Sequence, residues 1–208
     1  MNDQELIAEF KAAGAMLEGH FILSSGLHSP IYLQCARVMM DAARGERLCH
    51  ALAEKVRAAG HVIDAIVAPA MGGVVVGYEM GRQLATPTMF CERVDGTFEL
   101  RRGFSIAPGA RILVVEDVVT TGKSSMEAVA CIEAAGGKPV AVCSLIDRRG
   151  NNDVSLTLPL VSLLKLDVPT YKPDALYIGK LAVSAQHRRK GLASALMAVA
   201  ESRASALG

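Results

Sequence analysis

Residues 111–124 constrain this chain more than any other stretch: Arg-Ile-Leu-Val-Val-Glu-Asp-Val-Val-Thr-Thr-Gly-Lys-Ser. The apolar run from Ile112 to Val115 reads as a buried strand, and it stops at two adjacent acids, Glu116 and Asp117. A turn of small residues follows, and a helix-forming stretch runs from Ser125 to Ala135. This order delivers two carboxylates to the rim of a sheet. Beside them it sets bare backbone N–H groups and the positive end of a helix, both suited to an anion. The acids can accept hydrogen bonds from sugar hydroxyls while the turn cradles a phosphate. The element therefore points to a phosphorylated ribose as ligand.

Spacing removes two rivals. Gly122-Lys123-Ser124 imitates the end of a triphosphate P-loop, but that pattern needs a glycine where Asp117 stands. The glycines at 72, 73 and 77 do not form the dinucleotide pattern G-x-G-x-x-G either.

The rest of the chain supplies a setting for this element. Leu6, Ile7, Phe10, Ala13 and Leu17 predict a helix over 3–17, with Asp3 as its N-cap. Residues 21–34 read as extended strand with turns, and 43–59 as a helix closed by Gly60. Residues 63–68 predict a buried strand that leads through Pro69-Ala70-Met71-Gly72-Gly73 into a helix over 74–84. Further strands are expected at 88–93 and 139–146, with a polar, basic loop or hairpin over 94–108. Strands alternating with helices imply an α/β fold with a parallel sheet and helices on both faces. Ligands of such sheets gather at the carboxyl ends of the strands, where residues 69–73, 116–124 and 147–150 would meet.

Bulk properties exclude other classes. The 208 residues are 51% hydrophobic with a net charge of +1, which gives no argument for a nucleic-acid or membrane partner. No apolar run approaches the roughly 20 residues that span a bilayer, and the acidic N-terminus lacks the order of a signal peptide. The five cysteines show no C-x-x-C spacing, so they read as core thiols of a cytoplasmic protein. The five histidines form no ligand-like pair, and no metal ligand is assigned.

Val114-Val115-Glu116-Asp117-Val118-Val119-Thr120-Thr121-Gly122 resembles the signature of type I phosphoribosyltransferases, which bind phosphoribosyl pyrophosphate (PRPP). Phe21-Ile-Leu-Ser-Ser-Gly-Leu-His-Ser-Pro-Ile-Tyr32 is similar to the substrate-hood segment of the orotate phosphoribosyltransferases. Asp147-Arg148-Arg149-Gly150 matches that family's orotate-recognition position, and Leu166 to Asp174 resembles its C-terminal segment. Together these resemblances cover roughly residues 4–176, and residues 1–176 are taken as one domain with a small hood from its N- and C-terminal segments.

What the resemblance implies is specific. Glu116 and Asp117 would bind the ribose hydroxyls, and Val118, Val119, Thr120, Thr121, Gly122, Lys123 and Ser124 would complete the PRPP site. Ala70, Met71, Gly72 and Gly73 would form the pyrophosphate loop, often built on a cis peptide. Orotate would meet Arg148, Thr120, the Ser24, Ser25 and Gly26 backbone, and Tyr32; core packing is an equal reading for Tyr32. Arg93 matches an arginine that contacts pyrophosphate, but Val94 follows where a lysine is often found. The loop is of the short kind, so the leaving-group cation falls among Arg93, Arg101, Arg102 and Lys123, with Arg93, Arg102 and Asp117 as the catalytic set. The reaction implied is Mg²⁺-dependent transfer from PRPP to orotate in a homodimer with shared active sites. Another base as acceptor, or a regulator that senses PRPP, are the alternatives.

After Leu176 this resemblance ends. Lys180 to Glu201 is similar to the acetyl-CoA-binding motif of GNAT acetyltransferases, centred on Arg188-x-x-Gly191-x-Ala193. About 30 residues cannot build that domain. Residues 177–208 therefore read as an atypical extension, with a docked or exposed helix as the simpler function.

Overall fold

The computed structural model describes residues 1–23, 26–149 and 156–172. The GNAT-like stretch, Ser24, Ser25 and Gly150 lie outside the described residues. The described residues form two compact units: Met1–Met16 with Leu33–Asp167, and Leu17–Tyr32 with residues 168–172.

The larger unit opens with α1 (Asp3–Ala12), which begins one residue earlier in its capping than the sequence suggests. Asn2, not Asp3, caps it, in a reciprocal box where Asn2 accepts from the Glu5 N–H and Glu5 accepts from the Asn2 N–H. The helix also stops well short of Leu17, because β1 (Met16–Ile22) begins there. Helix α2 (Ala42–Ala58) is closed at Gly60, as its sequence pattern predicts, and is capped by Asp41.

Strands β3 (Ala65–Pro69), β4 (Thr88–Val94), β5 (Thr97–Leu100), β6 (Arg111–Val119), β7 (Lys138–Asp147) and β8 (Leu160–Lys165) form one sheet. Their order is β5-β4-β3-β6-β7-β8. All neighbours are parallel except β5, which returns along β4 as an antiparallel edge. Helix α3 (Gly72–Leu84) packs with α2, and α4 (Lys123–Ala134) packs against β3, β5, β6 and β7. Side-chain alternation along the strands sorts the core. Val67, Cys91, Ile112, Val114 and Val142 gather with Ala128, Val129 and Ile132 of α4 in one buried cluster.

Two features of these elements matter for the site. Strand β6 does not end at Val115 but runs through both acids to Val119, because its pairing with β7 continues to Val119 opposite Asp147. Its pairing with β3 stops at Val114. Beyond that point the chain leaving β3 folds along the vacated side of β6. An added Cβ at Gly73 would lie 2.7 Å from the Val115 carbonyl oxygen. The second is the polar segment after Arg93, which forms the hairpin that its sequence allows. Asp95 and Gly96 both take positive φ (48° and 87°), the arrangement of a two-residue turn matched to strand twist.

In the smaller unit β1 pairs with β2 (His28–Leu33), and Tyr171 bridges antiparallel to His28. Segments from both ends of the chain thus combine there, as the sequence reading expects. Phe21 and Tyr32 pack with ring centroids 5.5 Å apart, and Gly26 turns the hairpin at φ 79°.

Candidate active site

At the carboxyl ends of β3, β4 and β6 lies a cavity of about 240 Å³. Glu116 to Ser125 supply one continuous wall, Pro69, Ala70 and Gly72 a second, and Arg93 with Phe98 a third. Three stretches far apart in sequence are thus brought together by strand order. Of the residues singled out from the sequence, Ala70, Gly72, Arg93 and all nine from Glu116 to Ser124 line it. Met71 is 82% exposed and Gly73 lies against β6, so neither lines the cavity. The Ala70–Met71 peptide is cis, as the resemblance implies.

The acidic pair sits unusually deep for carboxylates. Glu116 is 7% exposed; burial, then the neighbouring Asp117, pushes its pKa up to about 8. Burial also raises Asp117, although the Val118 N–H donates to its Oδ1 at 2.9 Å and offsets part of the effect. Asp117 has room only because residue 72 lacks a side chain: a Cβ there would come within 2.8 Å of Asp117 Oδ1. Next along the wall, α4 starts at Lys123 behind Gly122, which has positive φ. The first N–H groups of a helix have no intrahelical acceptor and carry its partial positive charge, so this wall favours an anion.

The third wall carries the fixed cation. In the β4–β5 hairpin Arg93 stands opposite Phe98, and its guanidinium lies 4.2 Å above the Phe98 ring. Its Nη1 donates to the Gly96 carbonyl at 2.8 Å, and its Nη2 to Glu127 of α4. Lys123 stands 3.9 Å from the same carboxylate. Arg102 is not brought to this cavity. It donates to Glu92 at 3.0 Å, and strand alternation sends Glu92 to the opposite face of β4 from Arg93. Arg101 pairs loosely with the same Glu92.

Arg148 follows the end of β7, where its backbone N–H donates to the Val119 carbonyl at 2.8 Å. Half-burial lowers its pKa, and its neighbour Arg149 is held by Asp147 in a two-pronged pair at 2.9 Å. Phe98, Ser125 and Glu127 were not singled out in the sequence. Two of them had a legible signal. The Asp95-Gly96 turn sets residue 98 opposite residue 93, and Glu127 lies one helical turn after Lys123. Among the described residues no three His, Cys, Asp or Glu side chains are grouped to hold a metal ion. Nor is any described helix long and apolar enough to cross a membrane.

Comparison with known proteins gives this cavity its context. Residues 40–164 match the family model of the phosphoribosyl transferase domain. The orotate phosphoribosyltransferase of Sphingopyxis alaskensis is 55% identical over 177 residues, 85% of this chain and 90% of that protein. The chain belongs to the orotate phosphoribosyltransferase family. Its relative from Rhizorhabdus wittichii is 54% identical over the same share of both chains. The crystal structure of the Aeropyrum pernix orotate phosphoribosyltransferase superposes with a TM-score of 0.63 at 25% identity. It covers 77% of this chain and 93% of that one. The match to this family spans the sheet and α2 to α4, the elements that build the cavity.

Proposed function

We propose that this chain transfers the phosphoribosyl group of PRPP to N1 of orotate, giving orotidine 5′-monophosphate and pyrophosphate. The observation that carries this reading is the meeting of three chemistries in one cavity: a largely desolvated acid pair, a helix N-terminus and a braced arginine. Glu116 and Asp117 accept hydrogen bonds from the ribose hydroxyls. Thr120 to Ser124 hold the 5′-phosphate through backbone N–H groups and hydroxyls at the start of α4. The glycine-bearing turn at 70–73 receives pyrophosphate, faced by Arg93. Arg148 offers the planar fork that a carboxylate-bearing pyrimidine needs and a lysine does not provide.

Departure of pyrophosphate leaves positive charge on the sugar and negative charge on the leaving group. The chain's own part is to place fixed charge where each develops. Arg93 meets the leaving group, and the acid pair stands beside the sugar. No side-chain nucleophile is needed. A Mg²⁺ ion would suit this site as a companion of the substrate, held largely by substrate oxygens and water, with Glu116 and Asp117 the carboxylates at hand. When bound, the ion neutralises phosphate charge. We further read the protein as a cytoplasmic homodimer. The exposed apolar stripe of Met71, Val75 and Tyr78, at helical spacing on α3, supports a face covered by a second copy.

The test is consumption of orotate, followed by its ultraviolet absorbance, with PRPP and Mg²⁺ present. Asp117→Asn should lower kcat/KM on the order of 100-fold, the loss of a charge-assisted hydrogen bond. Turnover of a different base with orotate untouched would replace this reading with another phosphoribosyltransferase activity. Because Arg93 and Asp117 line one chain's own cavity, mixing Asp117→Asn chains with Arg93→Ala chains should restore no activity. Partial rescue would instead support a site completed by Arg93 of a second copy.

A further inference from the structure

Both cations that line the cavity are held by a single carboxylate, Glu127. Arg93 Nη2 donates to its Oε2, and Lys123 Nζ stands 3.9 Å from its Oε1. Glu127 lies on the first turns of α4, one turn after Lys123, with its side chain 32% exposed. Arg93 has two further braces that do not depend on it, the Gly96 carbonyl and the Phe98 ring. The guanidinium therefore stays at the cavity wall whether or not Glu127 holds it.

We propose that Glu127 is a positioning residue that sets the affinity of this site for pyrophosphate, by holding Arg93 and Lys123 until that anion displaces it from them. The inference rests on the reading of the cavity as the PRPP site. The exchange is balanced in kind. A hydrogen bond from Arg93 to a carboxylate is replaced by one to a phosphate oxygen, both charge-assisted. Its consequence is directional. Part of the attraction between pyrophosphate and the two cations is cancelled by loss of their bonds to Glu127. The carboxylate then remains near the bound anion and repels it. Glu127 thereby weakens the hold on pyrophosphate and favours its departure as product. A brace that merely oriented Arg93 would have the opposite effect, because its removal would weaken binding.

Glu127→Gln keeps the shape and an acceptor oxygen but removes the charge. Titration calorimetry of the full chain with magnesium pyrophosphate at low ionic strength should show the Gln variant binding roughly three- to five-fold tighter than the parent. That is the scale of a partly exposed ion pair. The KM for PRPP should fall alongside without a rise in kcat. Glu127→Asp, which retains the charge, should fall between the two. Glu133→Gln, an equal charge change on an exposed position of the same helix, should match the parent. Unchanged or weaker binding in Glu127→Gln overturns the proposal, as does weaker binding with a lowered melting temperature. If the parent itself binds no pyrophosphate, the reading of the cavity fails and this inference with it.

Discussion

Strand β6 and the β4–β5 hairpin face the same cavity, and they hold their charges in opposite ways. The acids of β6, Glu116 buried and Asp117 half-buried, sit in a strand paired to β7 as far as Val119, and loss of solvent raises the pKa of both. The arginines of the hairpin stand 41% to 61% exposed and are held by ion pairs that water and substrate can exchange. The difference teaches how one cavity divides its work. The sugar side is fixed by backbone and packing, so its geometry precedes the substrate. The leaving-group side is held by charges that can change partners when an anion arrives. The comparison can be broken at each wall in turn.

The fixed wall has a single weak point in Gly72. Its missing Cβ leaves the space where Asp117 Oδ1 sits, 2.8 Å from where that atom would be. Asp117 is half-buried and tied to the Val118 N–H, which limits its retreat. Gly72→Ala must therefore move the carboxylate or the start of α3. A displacement of about an ångström at a reacting site costs on the order of 100-fold in rate. We expect kcat/KM to fall by that order while circular dichroism shows the fold intact. Retained activity would mean that the acid pair tolerates movement and that the wall is not pre-formed.

This contact shows where the sequence was legible and where it was not. The strand and helix order, the acid pair, the anion-favouring turn and the hairpin loop are all written in local patterns of Val, Gly, Thr and Asp. Asp117 and Gly72 are 45 positions apart, and nothing local to either announces that one makes room for the other. The same holds for β6, whose acids were read as lying past the strand. Whether a strand continues is decided by its partner, and β7 extends beside Glu116, Val118 and Val119. Arg102 was misleading for a related reason. It is basic and close to Arg93 in sequence, but the hairpin turns it to Glu92 on the other face.

A smaller effect separates the two walls by pH. Glu116 has an ordinary value of 4.5 in an unfolded chain and about 8 in the folded one. The folded state therefore holds a proton that the unfolded chain has released, so stability falls as pH rises through this window. Below pH 4.5 the group is protonated in both states and its contribution is fully present. Above about 8 that contribution is lost. Glu116→Gln removes the slope. Its melting temperature should approach the parent's near pH 4.5 and exceed it increasingly toward pH 8.5, by about 2–4 kcal/mol of stability. Arg93→Ala should leave the slope in place, since Arg93 is exposed and pairs with Glu127. Parallel curves for Glu116→Gln and the parent would show that water reaches the acid pair and that the wall is not dry.

The smallest expected effect lies on the hairpin itself and decides which of its arginines belongs to the site. Arg93 and Arg102 both belong to this hairpin region, and both stack on phenylalanine rings, at 4.2 Å and 5.6 Å. They differ in the face of β4 they occupy. Arg93 stands among the cavity residues, whereas Arg102, 61% exposed, spends its charge on Glu92. An exposed pair of that kind contributes about 0–1 kcal/mol. Arg102→Ala should thus change kcat/KM by no more than about two-fold and barely move the melting temperature, while Arg93→Ala lowers kcat/KM far more. The measurement is most informative in a dimer. If Arg102 serves a neighbouring subunit's cavity, its removal would slow turnover without altering the stability of its own chain. Equal losses for the two variants would mean that the hairpin presents both faces to substrate, and the division between fixed and exchangeable walls would then have to include a second copy.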